Sequence, residues 1–450
     1  MKTQGAVVVG SALIIAAVGG LIILASLGSE GDAMRVVTVG RSPLALAIDT
    51  RAGHVFVVNY DDGRPSGTVS MLDAADGALR RTIPVGVTPH GVVVDERRAR
   101  AFVIDTAAPW MSAKAGVSVI DTQSGQQRQR VPLSTTPTLL DIDPTAGHIF
   151  VGLPIFVGLP NGTGPFTSRP TGRIQILDEM TNHLVRTIPL SFTPRASAVD
   201  ERLGRLFVVG TRQGGGGYLA MLDTRNGRML GATAVGAAPS VVAVDTQQGH
   251  VFVGDLGSPT GVCATLSGSC NVLGIVRMLD ARTGRVLRSV KVGWNPLSMV
   301  VDEYTHRVFT INRGNDQSNS GTVSVLDSRS GQVLRTTIIG ESPLGAAVDT
   351  RRSHVYVANG NSATVSILDA RNGRLLGNLH VTEDPLAVAV DERTDRVFVS
   401  SADVSDISPT AYRPDRSIFD LIGYLGSSLK HQVRVLRKGR TGTVSMFDTR

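Results

Sequence analysis

The chain has 450 residues, with 45 Lys and Arg against 38 Asp and Glu, a net charge of +7, 18% charged residues and two Cys. Two cysteines cannot staple a disulfide-built fold, and 42% apolar residues excludes a disordered chain. The cations are scattered through turns, without a dense basic stripe interleaved with aromatics, so nothing points to nucleic acid as a partner.

Residues 1–5 form a short leading segment with one cation, Lys2. Residues 6–27 then run for 22 positions without a charge. A helix of that length is about 33 Å long and spans a hydrocarbon core of about 30 Å. A transmembrane signal anchor over residues 6–28 is therefore expected, with a cleaved signal peptide, and hence a secreted body, as the alternative. Lys2 precedes the stretch, and Glu30 and Asp32 follow it. The positive-inside rule then leaves residues 1–5 in the cytoplasm and residues 34–450 outside, as a single-pass protein of the cell membrane.

From residue 34 onward the chain repeats one unit about eight times. Residues 337–378 are its tightest copy and read as four short strands bounded by Gly, Asn, Asp or Pro. The first strands follow Pro43, Pro89, Pro137, Pro194, Pro239, Pro296, Pro343 and Pro385, and each ends on an acid, from Asp49 to Asp391. The second strands read VFVV, AFVI, IFVG, LFVV, VFVG, VFTI, VYVA and VFVS, starting at Val55, Ala101, Ile149, Leu206, Val251, Val308, Val355 and Val397. The third strands end on Asp73, Asp121, Asp178, Asp223, Asp280, Asp327, Asp369 and Asp448. A four-stranded period of this length predicts an all-β propeller of antiparallel blades, eight by this count with seven as the alternative. The last unit lacks a fourth strand, and residues 34–40 have no strands of their own before them. They are expected to close the ring beside residues 443–447 and to cover an edge that would otherwise be open.

An Asp at the same place in every copy is a turn residue that accepts backbone N–H groups, and not a set of catalytic acids. His54, His148, His250, His306 and His354 likewise recur in one turn. Loop lengths are more informative. The turns between strands one and two, and between three and four, are uniformly short. The connections between strands two and three vary widely, and residues 402–442 form a long insertion in the last blade. In a meander these connections leave one face, where propellers usually bind.

Candidate ligand-binding residues follow from that face. Trp110 and Trp294 fall on it and suit either packing of the loop on a neighbouring blade or stacking on a planar ligand or a glycan. His90 and Arg195 stand just after the strand-one Pro, where most copies carry Leu, Ser or Thr. Asn59, Asp105, Asp255, Asn312 and Asn359 end second strands and could ring the entrance to hold an anion, a sugar or a cation, or cap the loops locally. No grouping has metal-ligand or nucleophile spacing, so neither a metal nor a cofactor is expected, and no catalytic residue is assigned. Cys263 and Cys270 share one loop, and an outside location makes a disulfide between them the expected state. Residues 416–438 have one-sided helical periodicity with Lys430, Arg434 and Arg437 on the polar side. A lid over the mouth and a helix lying on the membrane both fit.

The unit resembles the YVTN-family β-propeller repeat. Tyr356-Val357-Ala358-Asn359 stands where that motif stands, with Val39-Gly40, Pro343, Val348-Asp349 and residues 364–369 around it. The resemblance covers residues 34–450. It implies an extracytoplasmic binding or surface protein, with relatives among lactonase-like and amine-dehydrogenase heavy-chain propellers. The motif residues are structural, so no catalytic residue carries over. The insertion at 402–442 and the eighth copy depart from the seven blades common among relatives. The expected function is a membrane-anchored propeller, monomeric in its body, that binds a protein, glycan or small molecule on the variable face. A lactonase-like hydrolase or cofactor-free dehydrogenase subunit is the enzyme alternative, and an envelope scaffold is the other.

Overall fold

The structure, a computed structural model, describes residues 34–60, 67–106, 114–155, 171–212, 215–257, 273–314, 320–402 and 442–448. Residues 1–33, with the expected anchor, lie outside the described residues. Among those described, no helix is long and apolar enough to cross a membrane.

The strands form eight four-stranded antiparallel sheets. Blade 1 is Pro43–Asp49, His54–Asn59, Thr68–Asp73 and Leu79–Pro84. Blades 2 to 7 repeat that order, with first strands Pro89–Asp95, Leu139–Asp143, Thr193–Asp200, Pro239–Asp245, Pro296–Asp302 and Pro343–Asp349. Blade 8 is Pro385–Asp391, Arg396–Ser401 and Thr443–Asp448, completed by Arg35–Thr38. The closing register is Arg35 opposite Met446, Val36 opposite Ser445, Val37 opposite Val444 and Thr38 opposite Thr443. First strands of successive blades touch all round, and that of blade 8 touches that of blade 1. The ring is therefore closed, with eight blades.

The sequence explains why the units stack. Every second strand puts one aromatic at the same register: Phe56, Phe102, Phe150, Phe207, Phe252, Phe309, Tyr356 and Phe398, all buried. Each fills a cluster between neighbouring blades, as Phe56 and Val58 do with Ala101 and Val103. Full burial of such a side chain contributes about 2–3 kcal/mol, so stacking dominates the stability of the ring. First strands differ: their middle residues are half-buried, because their inner edge faces the axial channel.

The second strands begin one residue earlier than the sequence reading placed them, at His54, Arg100, His148, Arg205, His250, Arg307, His354 and Arg396. These residues reach into the next blade. His54 Nδ1 lies 2.7 Å from the Thr122 carbonyl, and Arg205 donates to the Ala281 carbonyl at 2.6 Å. Odd blades carry His here and even blades carry Arg. The residue after the strand-one acid alternates in step: Thr50, Glu96, Pro144, Glu201, Thr246, Glu303, Thr350, Glu392. Thr50 and Thr246 donate N–H to Glu96 and Glu303 at 2.9 and 2.7 Å. The seams from even to odd blades use Arg instead, with Arg202 on the Thr246 carbonyl at 3.2 Å and Arg393 on the Thr50 carbonyl at 2.9 Å. The Thr–Glu pair thus marks three of the four odd-to-even seams, Pro144 taking the Thr position in blade 3.

Candidate functional site

First strands run from the loop face to the turn face, so the residue after the strand-one Pro lies at the channel mouth. In seven blades the ladder slips at this residue, as between Pro43 and Ala45 or Pro194 and Ala196. Such a bulge re-aims the side chain it carries. Ser42, Thr88, Asn295 and Ser342, each just before a Pro, have φ of 46°, 47°, 54° and 49°. This left-handed backbone costs non-glycine residues about 1 kcal/mol or more.

The eight mouth residues divide into two arcs. Blades 2 to 5 supply His90, Thr138, Arg195 and Ser240, and blades 6, 7, 8 and 1 supply Leu297, Leu344, Leu386 and Leu44. Each polar member is held across a seam or to its own blade. Thr138 Oγ1 donates to the Pro194 carbonyl at 2.9 Å, and Ser240 Oγ to the Pro296 carbonyl at 2.6 Å. His90 Nδ1 lies 3.4 Å from the Thr88 carbonyl, and burial lowers the pKa of the ring. Its Nε2 is buried without a partner among the described residues. Arg195 Nε donates to Thr211 Oγ1 at 3.3 Å.

The residues that end the second strands are fully buried, with their polar atoms engaged inward. Asn59 Nδ2 donates to Thr68 Oγ1 and Ser70 Oγ at 3.1 and 3.0 Å. Asn312 and Asn359 make the same pair of bonds to Thr322 and Ser324, and to Thr364 and Ser366. Asp105 is 2.5 Å from Arg130, yet burial outweighs the guanidinium and pushes the carboxyl up to about 6. Asp255 accepts the N–H groups of Ala237, Ala238 and Gly257 at 2.9, 3.0 and 2.9 Å and pairs with Arg277 at 2.8 Å. The close fit requires glycine above these side chains: a Cβ on Gly236 would lie 1.5 Å from Asp255 Oδ2. These Asn and Asp residues set the shape of the mouth from beneath it.

Sequence reasoning passed over Asp141. It stands opposite Phe150 where other first strands carry Ala or Val. Its carboxyl is hydrogen-bonded to Ser197 of blade 4 and pushed up to about 6 by burial. The break in an otherwise apolar strand, Leu-Leu-Asp-Ile-Asp, was the available signal. His90, Asp141 and Arg195 are the only charged or titratable side chains on the first strands between their Pro and terminal Asp, and they fall in three successive blades. The folded pKa of Asp141 lies above its ordinary 3.8, so ionisation opposes folding. That penalty is absent below pH 4 and complete above pH 6. Asp141→Asn is expected to stabilise the protein by about 1–3 kcal/mol at pH 7.5 and to leave it unchanged at pH 4, by denaturant titration at both pH values. Equal stability of the two chains at pH 7.5 would remove this carboxyl from the account.

At the turn-face end of the blade 2–3 seam a second acid is buried. Glu179 stands where the other described blades have Ala, Thr or Ser. Burial and the Asp95 carboxylate push it up to about 8. Arg98 lies 2.9 Å from both acids.

Trp110, Cys263, Cys270 and residues 416–438 lie outside the described residues. Trp294 is half-buried in the link between blades 5 and 6, where its carbonyl accepts the Gly314 N–H at 3.2 Å. Asn295 Nδ2 clamps the same link on the Gly314 carbonyl at 2.7 Å.

No protein-family model and no curated protein matches the chain. Among solved structures, hydrazine synthase of Kuenenia stuttgartiensis is similar, with a TM-score of 0.53 and 15% identity over 81% of this chain and 94% of that one. BamB from Moraxella catarrhalis is similar with a TM-score of 0.52 and 13% identity over 92% of this chain and 100% of that one. At such identity the likeness concerns architecture alone, and it agrees with the closed ring of blades: the chain is an eight-bladed, all-β propeller.

Proposed function

We propose that this chain is a membrane-anchored, extracytoplasmic binding propeller of the YVTN kind, working through its loop face. The observation that carries the reading is the asymmetry of the two faces. On the turn face the hairpins are near-copies. On the loop face the connection between second and third strands grows from four residues in blade 7 (360–363) to 41 in blade 8 (402–442). Turn chemistry needs only the short form, so the additions serve something other than the fold. A protein or glycan is the proposed ligand class, since recognition distributed over several loops suits a broad partner. BamB, one of the similar structures, is a precedent for the architecture only.

The test is capture from solubilised envelope, together with a glycan array, using the full chain. Trp110→Ala with Trp294→Ala is expected to weaken the captured interaction at least tenfold, because buried aromatics dominate binding energy. Binding that survives both this pair and replacement of residues 403–441 by a short Gly-Ser link would overturn the assignment of the loop face. A second reading, a hydrolase, draws on His90, Asp141 and Arg195 in three successive blades. Under it, Asp141→Ala abolishes turnover of a model lactone while the fold is retained; absence of turnover by the parent chain disposes of it.

A further inference from the structure

The turn face is not uniform at its outer corner. Two residues after the third-strand Asp, blades 1 to 3 have Ala75, Gln123 and Met180, whereas blades 4 to 7 have Arg225, Arg282, Arg329 and Arg371. Where the fourth strand begins, blades 4, 5 and 7 add Arg228, Arg285 and Arg374. All seven are exposed, and among the described residues none of their guanidinium groups is within ion-pair distance of a carboxylate. In blades 1 and 2 the rim arginines are neutralised: Arg80 pairs with Asp73 and Asp76, and Arg128 with Asp121. The corner acids of blades 4 to 7 are turned into their own hairpins. Asp223, Asp280 and Asp369 accept the N–H of Arg225, Arg282 and Arg371 at 2.9, 3.0 and 2.7 Å.

Apolar side chains are also exposed on this rim, among them Leu79, Met180 and Leu184 in blades 1 and 3. Met229, Leu287, Leu334 and Leu376 are exposed on the fourth strands that follow. Tyr304, on a blade 6 turn of the same face, is 72% exposed. Arginines without ion pairs, exposed aliphatic chains and a projecting Tyr match the headgroup zone of a bilayer with negative charge.

We infer that the outer corner of the turn face in blades 4 to 7 docks on an anionic lipid surface. Docking holds the ring with its loop face turned away from the bilayer and open to a partner. The charge argument does not depend on the anchor proposed above. The test uses the full chain carrying Tyr304→Trp, reconstituted in vesicles of brominated lipid with 30% phosphatidylglycerol, with the parent chain as the background for Trp110 and Trp294. Quenching of the new Trp is expected, falling by at least half in 0.5 M NaCl, in vesicles of phosphatidylcholine alone, and in the Arg225→Gln, Arg282→Gln, Arg329→Gln, Arg371→Gln variant. An equal charge change in blades 1 and 2, Arg51→Gln, Arg81→Gln, Arg97→Gln, Arg128→Gln, is expected to leave it. No quenching, or equal loss in both quadruple variants, overturns the docking surface. Tighter corner-dependent binding to duplex DNA than to these vesicles overturns the lipid as occupant. Resistance to alkaline carbonate extraction, read in the same samples, reports the anchor separately.

Discussion

A chain that begins at Ser42 is expected to lose more than 10 °C in thermal midpoint and to elute as soluble aggregates. Residues 35–38 form the outermost strand of blade 8, and Val39 continues it with its N–H on the Gly442 carbonyl at 3.0 Å. Val37 and Val39 pack with Val444 and Met446 in the cluster shared by blades 8 and 1. Burial of the two valines contributes about 1.5–3 kcal/mol each, and the ladder adds about 0.5–1.5 kcal/mol per hydrogen bond. The loss is on the order of 5–8 kcal/mol, against about 5–15 kcal/mol for a whole domain. Removal also bares the third strand of blade 8 as an apolar edge, which invites pairing with other chains. Calorimetry with light scattering on the eluting species checks both parts. An unchanged midpoint with monomeric elution would show that closure contributes little.

The second large effect is expected at Asp255→Ala. This carboxylate is buried and accepts four hydrogen bonds, three from backbone N–H groups at the mouth and one from Arg277. Truncation strands a guanidinium that is itself mostly buried and leaves the link between blades 4 and 5 without acceptors. A cost of about 3–5 kcal/mol is expected, measured by chemical denaturation. Asp255→Asn should recover part of it, because the amide oxygen still accepts the link N–H groups. Arg277→Ala in the Asp255→Ala background should cost less than it does alone, since the two groups are coupled. A cost below 1 kcal/mol for Asp255→Ala would mean that the link holds its shape without the acid.

The ring was legible because its signals are local and repeated. Each Pro, each strand-ending Asp and each apolar run recurs, and a missing fourth strand at one end matches a spare strand at the other. Second-strand starts slipped by one residue, because His and Arg do not read as strand formers until their reach into the next blade is seen. The mouth was legible in part. His90 and Arg195 stood out by type, and the structure places both at the mouth register. Asn59, Asp105, Asn312 and Asn359 read first as local caps and second as an entrance ring, and their burial shows that the side chains turn inward. Asp141 was hidden because its strand was read for its apolar pattern. Its meaning depends on Ser197, 56 residues later, across a seam that periodicity does not describe.

The alternation of His with Arg and of Thr with Glu along the seams bears on why the count is eight. Apart from Pro144, which takes a Thr position in blade 3, each seam joins unlike neighbours, so the pattern favours a ring with an even number of members. A seven-membered ring of the same units would be frustrated: one seam would set two Glu turns, or two Thr turns, side by side with no complementary group. Gain or loss of a single blade therefore carries a mismatch that gain or loss of two does not. Parity, more than the width of the channel, makes the doublet the natural step by which this ring could lengthen or shrink.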